Sequence, residues 1–313
     1  MTIQFTELAQ RIAASHAVAP EDLLALRREG WSDGRITREE AEALFAINRS
    51  LGITDAQWVD FFAEVLREFV LNGSEPRGMC DESEAEWLIA QIDTDGRLET
   101  MAELELAVSV LEKSRNVPDT LKHYVLEQVE RAVLFGKGPT RDGGALSDTH
   151  VTAAECAIIR RVIFASGGIT PAAVSRFDAE MLFRIKDATL GCDNAPQWQP
   201  LFVDGIVNYL RGFTLPVAQV SHARMKELES FIADNRSSVG GFLGRMARET
   251  PQVYNHFGKV FGRKQSSESY GARQIEGDQV TENERNWLDS MVEANGEVDE
   301  FDHAVLQELA RDI

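Results

Sequence analysis

The chain has 313 residues, 43% of them hydrophobic, which is enough to bury one large core or two ordinary ones. Its 32 Lys and Arg stand against 51 Asp and Glu, and this net charge of −19 argues against DNA or RNA as a partner, because phosphate backbones need clustered cations. Three cysteines without a CxxC pair predict neither a disulfide framework nor a zinc site, and we expect a cytoplasmic protein.

Signals for helix starts recur along the whole chain. A Ser or Thr followed three residues later by Glu or Gln is typical of a capping box, in which each side chain binds the other residue's backbone N–H. The pattern occurs at Thr37/Glu40, Thr54/Gln57, Ser83/Glu86, Thr100/Glu103, Thr152/Glu155 and Thr281/Glu284, and Thr170-Pro171 predicts a further start. Apolar residues then step by three and four, so we predict an all-α protein. Its helices are expected near 4–17, 38–51, 55–71, 84–94, 101–115, 119–136, 153–166, 171–190, 196–212, 222–234, 250–262, 282–294 and 301–311.

Several sequence blocks occur twice in the same order, which indicates an internal duplication. The block AEALFAI at 41–47 recurs as AEMLFRI at 179–185, and each copy precedes a helix with a leading Trp, at Trp58 and Trp198. Later, Glu84-x-x-Trp87-Leu88 recurs as Glu284-x-x-Trp287-Leu288. We therefore predict two duplicated multi-helix halves built from helix-turn-helix units, and we expect their aromatic residues in the core. The predicted boundaries are 1–139 for the first half, 140–149 for a linker, 150–313 for the second half, and about 214–279 for an insertion within it.

The predicted insertion is the basic part of an acidic chain. Residues 214–275 contain nine Lys and Arg against five Asp and Glu. Within them, residues 239–264 place apolar side chains at helical spacing beside cations, which is typical of an element that docks on a partner's groove or an anionic membrane surface. The alternative is a helix that packs on its own domain. The predicted interaction residues are Phe242, Met246, Val253, Phe257, Lys259, Val260, Phe261, Arg263 and Lys264.

Four turns place a Gly two residues before an aliphatic residue, as at the centre of an EF-hand calcium loop. The candidate oxygen ligands around them are Asp33, Glu40, Asp93, Asp95, Glu99, Glu293 and Asp299. No loop has the full ligand set, so any divalent cation should bind weakly. The same residues also fit a structural role, in which Gly ends one helix and Thr or an acid begins the next.

The block from Trp287 to Asp299 (WLDSMVEANGEVD), with looser matches at Asp93–Glu103 and Asp33–Glu40, resembles the tellurite-resistance TerB family. This resemblance implies an all-α unit that takes part in divalent-metal binding and in stress-response complexes. It singles out Asp33, Asp93, Asp95, Glu293 and Asp299 as the positions of interest.

Sequence signatures of catalysis and nucleotide binding are missing from the chain. Gly136-Lys137-Gly138-Pro139-Thr140 has the composition of a phosphate-binding loop without the order GxxxxGK[ST], and HExxH, GxSxG and GxGxxG do not occur. We therefore predict a non-enzymatic binding or scaffolding protein without a firmly assigned cofactor, whose partner is most simply another protein. The alternative hypothesis is a regulator that responds to a weakly bound divalent metal through the Asp-Gly turns.

Overall fold

The structure is a computed structural model, and it describes residues 3–30, 35–51, 55–93, 96–141, 149–165, 174–210, 282–296 and 298–310. Within these ranges every secondary-structure element is a helix, so the predicted all-α class is confirmed. The helices are α1 (Ile3–Ser15), α2 (Pro20–Gly30), α3 (Arg38–Ser50), α4 (Ala56–Asn72), α5 (Glu82–Ile92), α6 (Met101–Lys113), α7 (Asp119–Phe135), α8 (Ala153–Ile163), α9 (Arg176–Ala188), α10 (Trp198–Leu210), α11 (Glu282–Val292) and α12 (Glu300–Ala310). A 3₁₀ turn, Glu293–Asn295, follows α11 directly.

The predicted helices that fall within the described ranges are all present. Those expected near 222–234 and 250–262 lie outside the described residues, as does the whole of the predicted insertion. Helix α2 was missed, although its start carries a clear signal. Pro20 stands at the first helical position, where its missing N–H costs nothing, and Glu21 and Asp22 follow in the first turn, where negative charge is favourable.

Three of the predicted capping boxes are confirmed, at Thr37/Glu40, Thr100/Glu103 and Thr152/Glu155. In each, the Thr hydroxyl accepts the Glu backbone N–H and the Glu carboxylate accepts the Thr backbone N–H. Thr170-Pro171 and Thr281 lie outside the described residues.

At two helices the observed capping residue differs from the predicted one, and in both cases the observed cap is an Asp. Helix α4 is capped by Asp55, whose carboxylate accepts the N–H of Trp58 at 2.8 Å, whereas the predicted Thr54 lies outside the described residues. Helix α5 begins with the capping box Asp81/Glu84, two residues before the predicted Ser83. An aspartate accepts the same hydrogen bond as Ser or Thr, and its charge also favours a helix N-terminus.

The first half is centred on a cluster of aromatic rings. The ring of Phe45 meets Phe62 edge-on, with centroids 5.2 Å apart, and meets Trp87 edge-on at 6.0 Å. Trp58 lies against Phe62 at 5.7 Å and is 1% exposed. The ring of Phe69 meets the same Trp87 edge-on, with centroids 5.2 Å apart. These residues of the predicted stripe are therefore core or packed directly against it.

A cluster of the same form lies in the second half. The ring of Phe183 meets Phe202 edge-on at 5.1 Å and Trp287 edge-on at 5.8 Å. Trp198 lies against Phe202 at 6.2 Å, and Tyr209 meets the same Trp287 edge-on at 4.6 Å. Trp287 lies on α11, so this helix supplies one ring of the second cluster.

The two clusters belong to one continuous hydrophobic core. Helix α7 packs against α8 and α9, and α6 packs against α8. Arg161 on α8 reinforces the junction by binding both carboxylate oxygens of Glu105 at 2.6 and 2.7 Å and both of Glu112 at 2.8 and 2.9 Å. Arg184 on α9 likewise forms a bidentate ion pair with Glu130 on α7. Ion pairs and apolar contacts thus join the predicted halves.

In the described part of the chain, none of the helices combines the length and the apolar character needed to cross a lipid bilayer.

Candidate functional site

The turn between α5 and α6 contains Gly96, the glycine of one of the four predicted turns. Gly96 has φ of 77°, a left-handed conformation that a side chain would strain. Its carbonyl oxygen accepts a hydrogen bond from Arg131 at 2.6 Å, and Gln128 accepts the N–H of Leu98 at 3.2 Å. Helix α7 therefore holds this turn in place through two side chains.

Asp93, the first acid of this turn, ends α5. Its Oδ1 is buried and meets no hydrogen-bond donor among the described residues. The hydroxyl of Tyr124 is also buried without a partner there, and its pKa is raised by burial and by the charges of Asp93 and Glu103. Asp95 lies outside the described residues, so a pairing of Asp93 with Asp95 around a cation stays a prediction.

The acids that follow the turn are divided between solvent and the fold. Glu99 is exposed, whereas Glu103 is buried and caps α6. Asn48 on α3 donates to Thr100 Oγ1 and to Glu103 Oε1, each at 3.1 Å, and its own oxygen accepts Trp58 Nε1 at 2.9 Å. Burial raises the pKa of Glu103, against the hydrogen bonds from Thr100 and Asn48. We call the set of Asn48, Trp58, Thr100 and Glu103 the asparagine node.

A cluster of charged side chains lies at the start of α12, as the asparagine node lies at the start of α6. Lys186 on α9 is fully buried, and its Nζ lies 2.7 Å from Asp299, 3.1 Å from Asp302 and 3.1 Å from Asp187. Asp299 Oδ1 accepts the N–H groups of Phe301 and Asp302, and Asp302 Oδ2 accepts the N–H of Asp299. Asp299 and Asp302 therefore cap α12 and bind an ammonium group at once. We call Lys186 with these three aspartates the lysine node.

Charges within the lysine node shift one another's protonation. Burial alone would lower the pKa of Lys186, but hydrogen bonds to Asp299, Asp187 and Asp302 outweigh it and raise the pKa. The pKa of Asp299 is lowered against its burial by Lys186 and by backbone N–H groups. Burial raises the pKa of Asp302, which shares the ammonium with Asp299.

The two nodes differ in what they offer the neighbouring tryptophan. Asn48 has an oxygen that accepts the indole N–H of Trp58. Lys186 has no acceptor, and Trp198 Nε1 is buried without a hydrogen-bond partner among the described residues. The ammonium of Lys186 therefore binds the carboxylates of Asp299 and Asp302, but the indole N–H of Trp198 is left without an acceptor among the described residues.

The predicted metal ligands are dispersed through the described residues. Glu40 is buried in the cap of α3, Glu293 is exposed in the 3₁₀ turn, and Asp299 holds Lys186. In the ranges that the structure describes, no group of three His, Cys, Asp or Glu side chains is arranged to hold a metal ion. Asp33 and Asp95 lie outside those ranges. So does every residue predicted for the interaction segment, from Phe242 to Lys264.

A pocket of about 580 Å³ lies between the Gly96 turn, the C-terminal half of α7 and the turn that follows it. Four cations line it, Arg97, Arg131, Lys137 and Arg141, together with the carboxylate of Glu99. We call it the basic pocket. Sequence analysis missed it, because its residues come from three segments that only the fold brings together. The Gly/Lys composition of residues 136–138 was the single local signal.

Comparisons of the chain with models of protein families, with curated proteins and with solved structures return no match. The TerB-like resemblance therefore stays a prediction from short motifs.

Proposed function

We propose that the chain is a non-enzymatic cytoplasmic binding or scaffolding protein of TerB-like helical type, with a role in stress responses. The observation that carries this proposal is the lysine node. Asp299, which the resemblance singles out as a metal position, binds the ammonium of Lys186 at 2.7 Å and caps α12. A carboxylate that is engaged in this way stabilises the fold and is not available to a metal ion. This favours a structural role for the Asp-Gly turns, so we expect the partner to bind at another surface.

The partner-binding surface that we propose is the basic segment 239–264, which lies outside the described residues. Its expected partner is a protein with an acidic groove, because opposite charge draws the segment to such a surface while the acidic remainder of the chain is repelled. An anionic membrane surface is the other occupant that the same chemistry admits.

Reversal of three charges tests this surface. Replacement of Lys259, Arg263 and Lys264 by Glu should lower partner recovery in quantitative affinity purification from the native cell at least tenfold. A control with Arg28, Arg77 and Lys113 replaced by Glu changes the net charge equally and should retain the partner. Sedimentation with vesicles containing phosphatidylserine separates the two occupants. Equal recovery with both triple variants would contradict the proposed surface.

The alternative function, a regulator that responds to a divalent metal, is favoured by one observation. Asp93 Oδ1 is a buried carboxylate oxygen without a donor among the described residues, and a cation would satisfy it. Because the twelfth loop position holds Ala102 in place of a bidentate acid, we expect calcium affinity of about 10⁻³ M or weaker.

Calorimetric titration with calcium and magnesium decides between the two functions. Saturable binding at micromolar calcium, abolished in Asp93→Asn and in Asp95→Ala but kept in the exposed Glu293→Gln, would replace scaffolding with metal-responsive regulation. Weak or unsaturable binding that Asp93→Asn leaves unchanged is the result we expect.

We also propose that the two halves arose by duplication. Support comes from the aromatic clusters, in which the ring spacings around Phe45 and Phe183 agree within 0.2 Å for the two edge-on contacts of each. The asparagine and lysine nodes support it further, since Asn48 and Lys186 follow the repeated block at the same offset and each binds the cap of a later helix.

A further inference from the structure

The basic pocket owes its shape to close packing of the turn after α7. Gly136 has φ of 64° and ends the helix, and Gly138 lies so close to α7 that an added Cβ would meet the Ala132 Cβ at 2.9 Å. These two glycines therefore let the turn fold back along α7 and bring Lys137 to the same pocket as Arg131.

Among the described residues that line this pocket, positive charge exceeds negative charge. Arg131 donates one hydrogen bond to the Gly96 carbonyl, and neither Arg97 nor Lys137 makes an ion pair with a described residue. Arg141 also lines the pocket, but it is buried and binds both oxygens of Glu155 at 2.7 and 2.8 Å, which neutralises it. Glu99 is the one carboxylate among the lining residues.

Counted over the described lining residues, with Arg141 neutralised by Glu155, the surplus amounts to two positive charges in a chain whose net charge is −19. Like charges that face one open pocket repel each other unless an anion lies between them. A phosphate monoester carries about −1.5 to −2 charges at pH 7 and offers three acceptor oxygens, so it matches both the surplus and the number of the remaining cations. Guanidinium groups bind phosphate oxygens through paired N–H donors, and a lysine binds them as a point charge.

The rest of the pocket is suited to an apolar body attached to the phosphate. The side chain of Phe135 is 70% exposed at the end of α7, and Leu98 and Pro139 line the same pocket. A volume of about 580 Å³ is also in the range of about 300–1,000 Å³ that small-molecule sites occupy. An exposed aromatic ring beside cations that form no ion pair with a described residue is the arrangement expected for a ligand with an anionic end and an apolar end.

We propose that the basic pocket binds a small organic phosphate, with the phosphate between Arg97, Arg131 and Lys137 and its apolar part against Phe135. This site depends on the described residues alone, so it stands or falls independently of the partner proposed for segment 239–264.

Calorimetry and ³¹P NMR on the full chain, with phenyl phosphate and inorganic phosphate as probes, test the site. Phenyl phosphate should bind more tightly than inorganic phosphate. Replacement of both Arg97 and Lys137 by Glu should weaken phenyl phosphate at least tenfold, whereas Lys113→Glu, an exposed cation at the end of α6, should leave it unchanged within twofold. Glu99→Gln should strengthen both probes, because it removes the negative charge from the lining.

A separate variant tests the apolar half of the site. Phe135→Ala should reduce the affinity for phenyl phosphate to that for inorganic phosphate and leave inorganic phosphate unchanged. Far-UV circular dichroism checks folding, and if the double Glu variant is unfolded, replacement of Arg97 and Lys137 by Gln serves in its place with the same expected direction.

Three results would overturn the proposal. One is the absence of saturable phenyl phosphate binding at millimolar concentration. Another is equal affinity in the wild type and the Arg97/Lys137 variant. The third is benzoate binding as tightly as phenyl phosphate, since a carboxylate carries only one charge and would then satisfy the pocket equally well.

Discussion

At the scale of single residues, Asn48 and Lys186 both bind the capping residues of a later helix, one through an amide and the other through an ammonium group. Each lies on a buried helix face and binds the cap of a later helix. The amide satisfies one carboxylate and one indole, whereas the ammonium requires several carboxylates around it. A buried ammonium without those partners would be strongly destabilising, so Lys186 and its aspartates depend on one another.

We expect Lys186→Met to lower the free energy of unfolding by about 3–5 kcal/mol, because it leaves Asp299 and Asp302 buried without their shared cation. Addition of Asp302→Asn to that variant should recover part of the loss, since it removes one of the uncompensated charges. Asn48→Leu, the matched change in the asparagine node, should cost less, about 1–3 kcal/mol, because its partners lose hydrogen bonds and no buried cation is removed. Urea denaturation measures all three.

The dependence of this difference on pH follows from the raised pKa of Lys186. Its folded pKa lies above the ordinary value of 10.5, so its stabilising contribution is complete below pH 10.5 and is lost as the pH rises through the folded pKa. The difference in unfolding free energy between wild type and Lys186→Met should therefore stay level from pH 7 to about 10 and shrink above that. A difference that grows with alkaline pH would contradict the ion pair.

At the scale of elements, the sequence predicted helices well and their starts less well. Periodic apolar residues located α4, α6 and α10, because such a pattern must face a core. The caps of α4 and α5 were assigned to Thr54 and Ser83 because each stands within two residues of the observed cap, Asp55 or Asp81, and nothing local decides which side chain will cap. Sequence alone also could not reveal that Asp299 meets Lys186, a contact across more than one hundred residues.

The candidate sites follow the same division. Turns with a left-handed glycine, at Gly96 and Gly296, are local and were anticipated. The basic pocket joins residues around Gly96 to residues around Lys137, and Gln128 and Arg131 on α7 bind the first of these turns. Chemistry that depends on tertiary proximity was therefore invisible in the pattern of the chain.

At the scale of the whole molecule, the described core is continuous from α1 to α12, although the sequence pattern predicts two duplicated halves. Helices α6 and α7 of the first half pack directly on α8 and α9 of the second. Shared apolar contacts of this kind couple the stability of both parts, because neither can unfold without exposing the other's core.

We expect the two halves to unfold together, and Arg161→Met to lower their common midpoint. The guanidinium of Arg161 binds Glu105 and Glu112 across the junction, so its loss should cost about 1–3 kcal/mol, the range for hydrogen bonds to charged groups.

Hydrogen exchange with mass spectrometry in rising urea reports each half separately. Peptides from α4 and α6 should lose protection at the same urea concentration as peptides from α9 and α10, in the wild type and in Arg161→Met alike. Arg176→Met, at an exposed i,i+4 pair on α9, is the control and should shift the midpoint little. Two separate midpoints in the wild type would mean that the junction between α6, α7, α8 and α9 does not couple the halves, and that the repeated units fold as independent bodies.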